Sequence, residues 1–258
     1  MTESWLSCDF PSSMLDSECL FNVFRDDRSN RVGGGVCCLV SKKFRTVQLT
    51  VGECVVSNLL IVDLQADKVS YRFITIYRPP LSNSDGIEDS LRLRKTIDSL
   101  VSSSPGPVYI LGDLNCGGID WTFTTNSSNQ VERTISDVFR NNGFVQCVPV
   151  ATRGTNLLDV VCTNEPLTLC RVDVVPPFAM SDHNCVVFDI LLPSGIGANS
   201  KTCPVYTRYL WSKADYNSMA DYLSRIKWDE LFTVNFTADD MWRAFQSILD
   251  EAIAKFVP

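Results

Sequence analysis

The sequence predicts an α/β body followed by a small helical tail, and three observations carry that prediction. Short apolar runs rich in Val, Ile, Leu and aromatics recur as far as residue 192, each of strand length and bounded by turn residues. Two segments among them change to helical spacing. Beyond the turn-rich stretch Pro193-Ser-Gly-Ile-Gly-Ala-Asn-Ser200 the spacing is helical throughout.

Taken in order, the strand-like runs are Val36–Val40, Asn58–Asp63, Tyr71–Tyr77, Val108–Leu111, Leu157–Cys162, Leu169–Val175 and Asn184–Leu191. The first helix is expected over 86–102, with Leu93, Ile97, Leu100 and Val101 on one face and Asp85 with Glu88 as a capping box. The second is expected over 131–142, with Ile135, Val138 and Phe139 inward and Gly143 ending it in the left-handed conformation. In the tail, Tyr216, Met219, Ala220, Leu223 and Ile226 form one helical stripe. Met241, Phe245, Ile248, Leu249, Ala252 and Phe256 form another, with Thr237 and Asp240 placed to cap it. The boundaries read as a domain over 1–192, a linker over 193–200 and a helical segment over 201–258.

The totals bound the partners. A chain of 258 residues, 45 % hydrophobic and 21 % charged, can bury a full core, so disorder is not expected. No apolar run is long enough to cross a bilayer, and the first residues lack the basic-then-apolar order of a signal peptide, so the reading is no membrane and no secretion. Eleven cysteines without a CxxC pair, and a single histidine far from any of their clusters, argue against a zinc site. Cys37, Cys38, Cys162 and Cys185 sit in apolar runs, where cysteine packs as a small hydrophobe. A net charge of −7 counts against gripping nucleic acid by a basic face alone, though not against carboxylates that hold a divalent metal.

Four places carry chemistry. Val108-Tyr-Ile-Leu-Gly-Asp-Leu-Asn115 is an apolar strand that ends by presenting Asp113 and Asn115 at its carboxyl end. Residues two apart in a strand face one side, so Asp113 can act as a base on water and Asn115 can hold a phosphate oxygen. The plain alternative is an Asx turn after the strand. Ser181-Asp182-His183 precedes another strand and contains the only histidine. An imidazole beside a carboxylate can stabilise a pentacovalent phosphorane, and Asp159, entering the apolar run Leu157-Leu-Asp-Val-Val161, is its natural partner. A satisfied core histidine and a strand-capping aspartate are the ordinary alternatives. Phe73-Ile-Thr-Ile-Tyr77-Arg78 runs into two prolines that stop the strand, leaving Tyr77 to meet a phosphate and Arg78 to attract its backbone, or Tyr77 simply to finish the core. Glu3, in Thr2-Glu-Ser-Trp-Leu6, can ligate Mg2+ or be merely solvated.

In this order, Thr2-Glu-Ser-Trp-Leu6, Arg31-Val-Gly-Gly-Gly-Val36, Tyr77-Arg-Pro-Pro80, Gly112-Asp-Leu-Asn115, Thr152-Arg-Gly-Thr-Asn-Leu-Leu-Asp159 and Ser181-Asp-His183 resemble the endonuclease domain of non-LTR retrotransposons. That domain is of the endonuclease/exonuclease/phosphatase superfamily and is related to apurinic/apyrimidinic endonucleases. The resemblance covers about residues 1–192, and the tail is similar to the connector that precedes a reverse transcriptase. It implies a four-layer α/β/β/α sandwich of two packed, mainly antiparallel sheets with a C-terminal helical tail. It implies Mg2+-dependent (or Mn2+-dependent) cleavage of DNA in the nucleus, with a reverse transcriptase following on the same chain in the full element.

By position, the resemblance makes Asp113, Asn115, His183, Asp159 and Tyr77 catalytic, and Glu3 and Asp182 metal-binding. It sets Arg78, Thr152 and Ser181 along the substrate. The family pattern has a strand and a helix ahead of the Glu, and the sequence begins at that Glu, so the expectation is an N-terminally truncated domain. Two other functions are compatible with the residues: a catalytically impaired relic, and a phosphatase or phosphodiesterase of the same superfamily.

Overall fold

The computed structural model describes residues 1–28, 33–51, 57–81, 83–125, 127–192, 214–232 and 236–258. Arg31 and Val32 of the glycine hairpin and the expected 193–200 linker lie outside them. Two compact units divide at Ala198 and Asn199. No helix among the described residues is long and apolar enough to cross a membrane.

The first unit is built on a six-stranded sheet in the order β3-β4-β5-β6-β8-β7. Its strands are β3 (Arg45–Leu49), β4 (Asn58–Ala66), β5 (Val69–Tyr77), β6 (Val108–Asp113), β7 (Val145–Gln146) and β8 (Asp159–Thr163). All neighbours are antiparallel except β5 and β6, which run parallel. A parallel pair needs a crossover, and α1 (Ser84–Ser102) supplies it. Two antiparallel ribbons complete the strands: β1 (Phe21–Asp26) with β2 (Val36–Ser41), and β9 (Leu169–Val175) with β10 (Cys185–Ile190). Residues 1–5 extend the first ribbon. Met1 and Cys37 exchange hydrogen bonds, Thr2 bridges Val36, and the Ser4 and Trp5 amides donate to Gly35 and Gly34.

Strand alternation sorts the core into two faces. Ile61, Ile74, Ile76, Val108, Ile110, Val160 and Cys162 pack with Leu93, Ile97 and Leu100 of α1 and Val131, Ile135, Val138 and Phe139 of α2 (Gln130–Asn141). On the opposite face, Leu60, Val62 and Tyr77 meet Val36, Phe24, Cys38 and Val40 of the first ribbon. Further along that face, Tyr71, Phe73 and Tyr109 cluster with Leu169 and Ile190 of the second. The expected sandwich of packed strands and helices is thus present, with fewer helices: both described helices of this unit cover the same face.

Local corrections are instructive. Asn83, not the Asp85–Glu88 pair, caps α1, its side chain accepting from the Gly86 amide. Asn129 caps α2 in the same way, and Gly143 takes φ +68° after it, as the spacing requires. Strands β1 and β3 escaped the periodicity reading because Asn22, Arg25, Arg45 and Gln48 dilute their apolar character.

The second unit holds α3 (Tyr216–Ser224), α4 (Trp228–Leu231) and α5 (Ala238–Phe256). Thr237 and Asp240 form the expected capping box of α5. Tyr222 packs near Phe256, and Trp228 near Phe232 and Phe245; Phe245 and Phe256 belong to the second stripe read from the sequence, while Tyr222 and Trp228 lie outside the first.

Candidate functional site

Register brings the chemistry together. Tyr77 is the partner of Asp113 across β5 and β6, and Asp113 is the partner of Asp159 across β6 and β8. All three therefore stand in one row across the sheet, at the carboxyl ends of the parallel pair. The row lies on the face covered by the ribbons rather than by the helices, because Tyr77 packs against the first ribbon.

Asp113 is 3 % exposed. Burial first, and then the charge of Asp159, push its carboxyl up to about 6, against the Asn115 amide that favours the ionised form. Asn115 is not on the strand. It sits in the left-handed region at φ +50°, and its amide N–H donates to Asp113 Oδ1 at 2.9 Å. Its Nδ2 donates to Asp113 Oδ2 and to the Arg78 carbonyl, both at 2.9 Å. The Asx turn and the paired site residues are thus one structure: the turn, not strand alternation, returns Asn115 to the carboxylate.

Gly112 has φ +126°, and a Cβ there would come 2.0 Å from the Ile76 carbonyl and 3.0 Å from Thr2 Cγ2. Only glycine lets the sheet and the 1–5 segment close over the site.

His183 Nδ1 lies 2.8 Å from Asp159 Oδ2, and the two side chains are 17 % and 16 % exposed. The segment is tied down by the Asn184 amide donating to the Thr152 carbonyl at 2.8 Å, and by the His183 amide donating to Ser181 Oγ at 3.1 Å. Ligand atoms of Asp113, Asp159 and His183 all lie within 4.8 Å of one another. On the other side of the row, the Tyr77 hydroxyl donates to Glu3 Oε1. Burial first, and then that hydrogen bond to a carboxylate, hold the Tyr77 phenol well above its ordinary range.

Three residues take places other than the expected ones. Arg78 was set against substrate, but it is 3 % exposed and its guanidinium turns inward, donating to the Leu114 carbonyl at 3.1 Å and to that of Leu81. Leu81 follows Pro79-Pro80 and Leu114 follows β6, both past the ends of their strands, and Arg78 supplies donors to their carbonyls. Thr152 is fully buried, its Oγ1 accepting from the Leu158 and Asp159 amides at 3.1 Å each, so it braces Asp159 from within. Asp182 is exposed and paired with Arg153 rather than turned to the carboxylate cluster. Glu3 and Ser181 are exposed beside the row. Asn58 and Arg28, which no motif marked, also touch this region; their contact runs between a ribbon and the sheet, and sequence spacing carries no trace of it.

The fold thus gathers acidic and amide groups at strand ends beside a His–Asp pair. Residues 71–187 match the family model described as endonuclease-reverse transcriptase. That match lies within the stretch that the motifs compare with endonucleases of this kind. Among solved structures, the chain is similar to the endonuclease domain of TRAS1, a telomere-specific non-LTR retrotransposon. That match has 14 % identity and a TM-score of 0.53, and covers 69 % of this chain and 82 % of that one. It is also similar to the catalytic domain of human Nocturnin, solved with a bound sulfate, at 11 % identity and a TM-score of 0.51, over 74 % of this chain and 79 % of the other. These likenesses are of fold. No curated protein matches the chain.

Proposed function

We propose that the first unit is a divalent-metal-dependent DNA endonuclease of the retrotransposon type, hydrolysing a phosphodiester bond. The observation that carries the reading is the single row Tyr77–Asp113–Asp159, with His183 seated at its Asp159 end and Glu3 held at its Tyr77 end. The residues fit a hard cation: oxygen donors crowd together, and burial first, then the charge of Asp159, raise the Asp113 carboxyl, a cost that a cation would relieve. Glu3, beside the Asp113 carboxylate, would hold Mg2+ or Mn2+; Asp159 is committed to His183 and Asp182 to Arg153. Such an ion supplies polarisation of a phosphoryl oxygen and stabilisation of the leaving oxygen.

The chain's own groups divide the remaining work. Asp113, poised near 6, takes a proton from the attacking water. Asn115 fixes that carboxylate through two hydrogen bonds and lies beside the water's path. Asp159 engages Nδ1 of His183, which leaves Nε2 to meet the phosphate oxygen on which charge develops. Tyr77 orients Glu3, and Ser181 borders the substrate. In a full element, a reverse transcriptase would follow the helical unit on the same chain, and cleavage would take place in the nucleus.

Nicking of supercoiled plasmid with Mg2+ tests this. Nicking that stops in EDTA and falls roughly 10³-fold in His183→Ala supports it. Hydrolysis of a phosphomonoester without nicking would move the substrate to the phosphatase branch of the superfamily. Folded protein inert on both would make the chain a binding relic.

A further inference from the structure

The row across the sheet has a fourth member. Asn58 on β4 is the register partner of Tyr77, stands on the same face and is 6 % exposed. Its amide is engaged on both sides. Oδ1 accepts from Arg28 Nε at 2.8 Å and from the Gly35 amide at 3.0 Å. Nδ2 donates to Asp26 Oδ2 at 3.1 Å, and the same carboxylate oxygen accepts from the Leu59 amide at 3.0 Å. Asn58 thereby fastens the first ribbon to the central sheet and aims one side chain, Arg28, at the site. The Arg28 guanidinium lies over the Tyr77 ring, 5.3 Å from its centroid.

The glycine run explains how it gets there. Gly34 has φ +79°, and a Cβ on it would fall 2.5 Å from Arg28 Nε and 2.6 Å from its Cζ. A Cβ on Gly35, at φ +83°, would fall 2.6 Å from Ser4 Oγ. Two successive glycines thus clear a path for Arg28 on one side and for the Glu3-bearing segment on the other. Tyr77 then packs with Val36, Leu60 and Val62 of the core and lies under Arg28, with its hydroxyl pointing at Glu3.

We propose that Arg28 and Asn58 are positioning residues that fix Tyr77, and through its hydroxyl the Glu3 carboxylate, in the place where a divalent cation binds. The inference rests on the metal reading of Glu3 given above. Glu3 is exposed, so without a fixed partner its carboxylate would spend its time in water. Partners behind a metal ligand characteristically govern metal affinity by about 10–100-fold.

The test separates binding from turnover. Mn2+ binding to the full chain is measured by titration calorimetry without DNA, and the Mg2+ concentration for half-maximal nicking is measured in parallel. Arg28→Ala is expected to weaken Mn2+ about tenfold and to raise the Mg2+ requirement by the same factor, with nicking recovering at saturating Mg2+. Glu3→Gln weakens Mn2+ at least as much, and adding Arg28→Ala to it has no further effect, because both act through one carboxylate. Tyr77→Phe, which keeps the ring and removes the hydroxyl, reproduces the loss and guards against a variant that fails to fold. Arg28→Ala or Tyr77→Phe with wild-type Mn2+ affinity, or an additive double variant, overturns the inference alone. A wild-type chain that binds no Mn2+ overturns the metal reading and the inference with it.

Discussion

The two sides of the site are made differently. Asp113, Asp159 and Tyr77 stand on adjacent strands in the middle of a six-stranded sheet, and each is placed by the register of its neighbours. Glu3 and Ser181–His183 stand on segments laid against that sheet and held by a few hydrogen bonds. The first side is fixed by the same ladder that holds the core. The second depends on individual contacts: the Thr152 carbonyl on the Asn184 amide and Asp159 on His183, and the Tyr77 hydroxyl on Glu3. Precision in this site is therefore a property of the sheet on one side and of single polar contacts on the other.

The sharpest way to break the comparison is at Asp113. Asp113→Asn is expected to abolish nicking and to stabilise the fold at the same time. The folded state raises this carboxyl to about 6, so at pH 7 it is ionised against the cost of burial and of Asp159. That cost is absent below the unfolded value, develops as pH rises toward 6, and is complete above it. In chelator, Asp113→Asn should gain roughly 1–3 kcal/mol at pH 7 in urea unfolding, a gain that shrinks as pH falls below about 6 and is lost only below about pH 4. A variant destabilised at pH 7 would mean that the two hydrogen bonds from Asn115 outweigh the burial cost.

Thr152→Val probes whether the sheet needs help in placing Asp159. It leaves the buried Leu158 and Asp159 amides without their acceptor, costing about 1–3 kcal/mol. It also frees Asp159 to drift, with nicking down about tenfold at unchanged Mg2+ requirement. An unchanged rate would show that the strand alone places Asp159. The smallest effect belongs to Arg153→Ala. It removes an exposed partner of Asp182 and should cost under about 1 kcal/mol and leave nicking within roughly twofold. A large loss there would return Asp182 to the reacting groups.

Legibility followed the same division. Asp113 and the Asp159–His183 pair were readable because polar residues at the ends of apolar runs need partners and the sequence offered few. The row itself was not, since register is set by pairing between distant strands such as β6 and β8. Arg78 read as a substrate contact because a cation at a strand mouth looks available. The carbonyls of Leu81 and Leu114 that claim it lie past the ends of their strands, at places that residue spacing does not encode. Asn115 was placed rightly and for the wrong reason, by strand alternation where a left-handed turn does the work. Arg28 and Asn58 were invisible because they matter only across the join between ribbon and sheet.

The alternation of faces in β6 ties the site to the strand's register. Val108 and Ile110 face the helices while Tyr109, Leu111 and Asp113 face the ribbons. Sliding the strand by one residue would carry Asp113 out of line with Tyr77 and Asp159 and onto the apolar side covered by the helices. It would also set a side chain in the place of Gly112, against the Ile76 carbonyl. One codon gained or lost in phase within β6 would thus cost the chain its assembled centre and its sheet together.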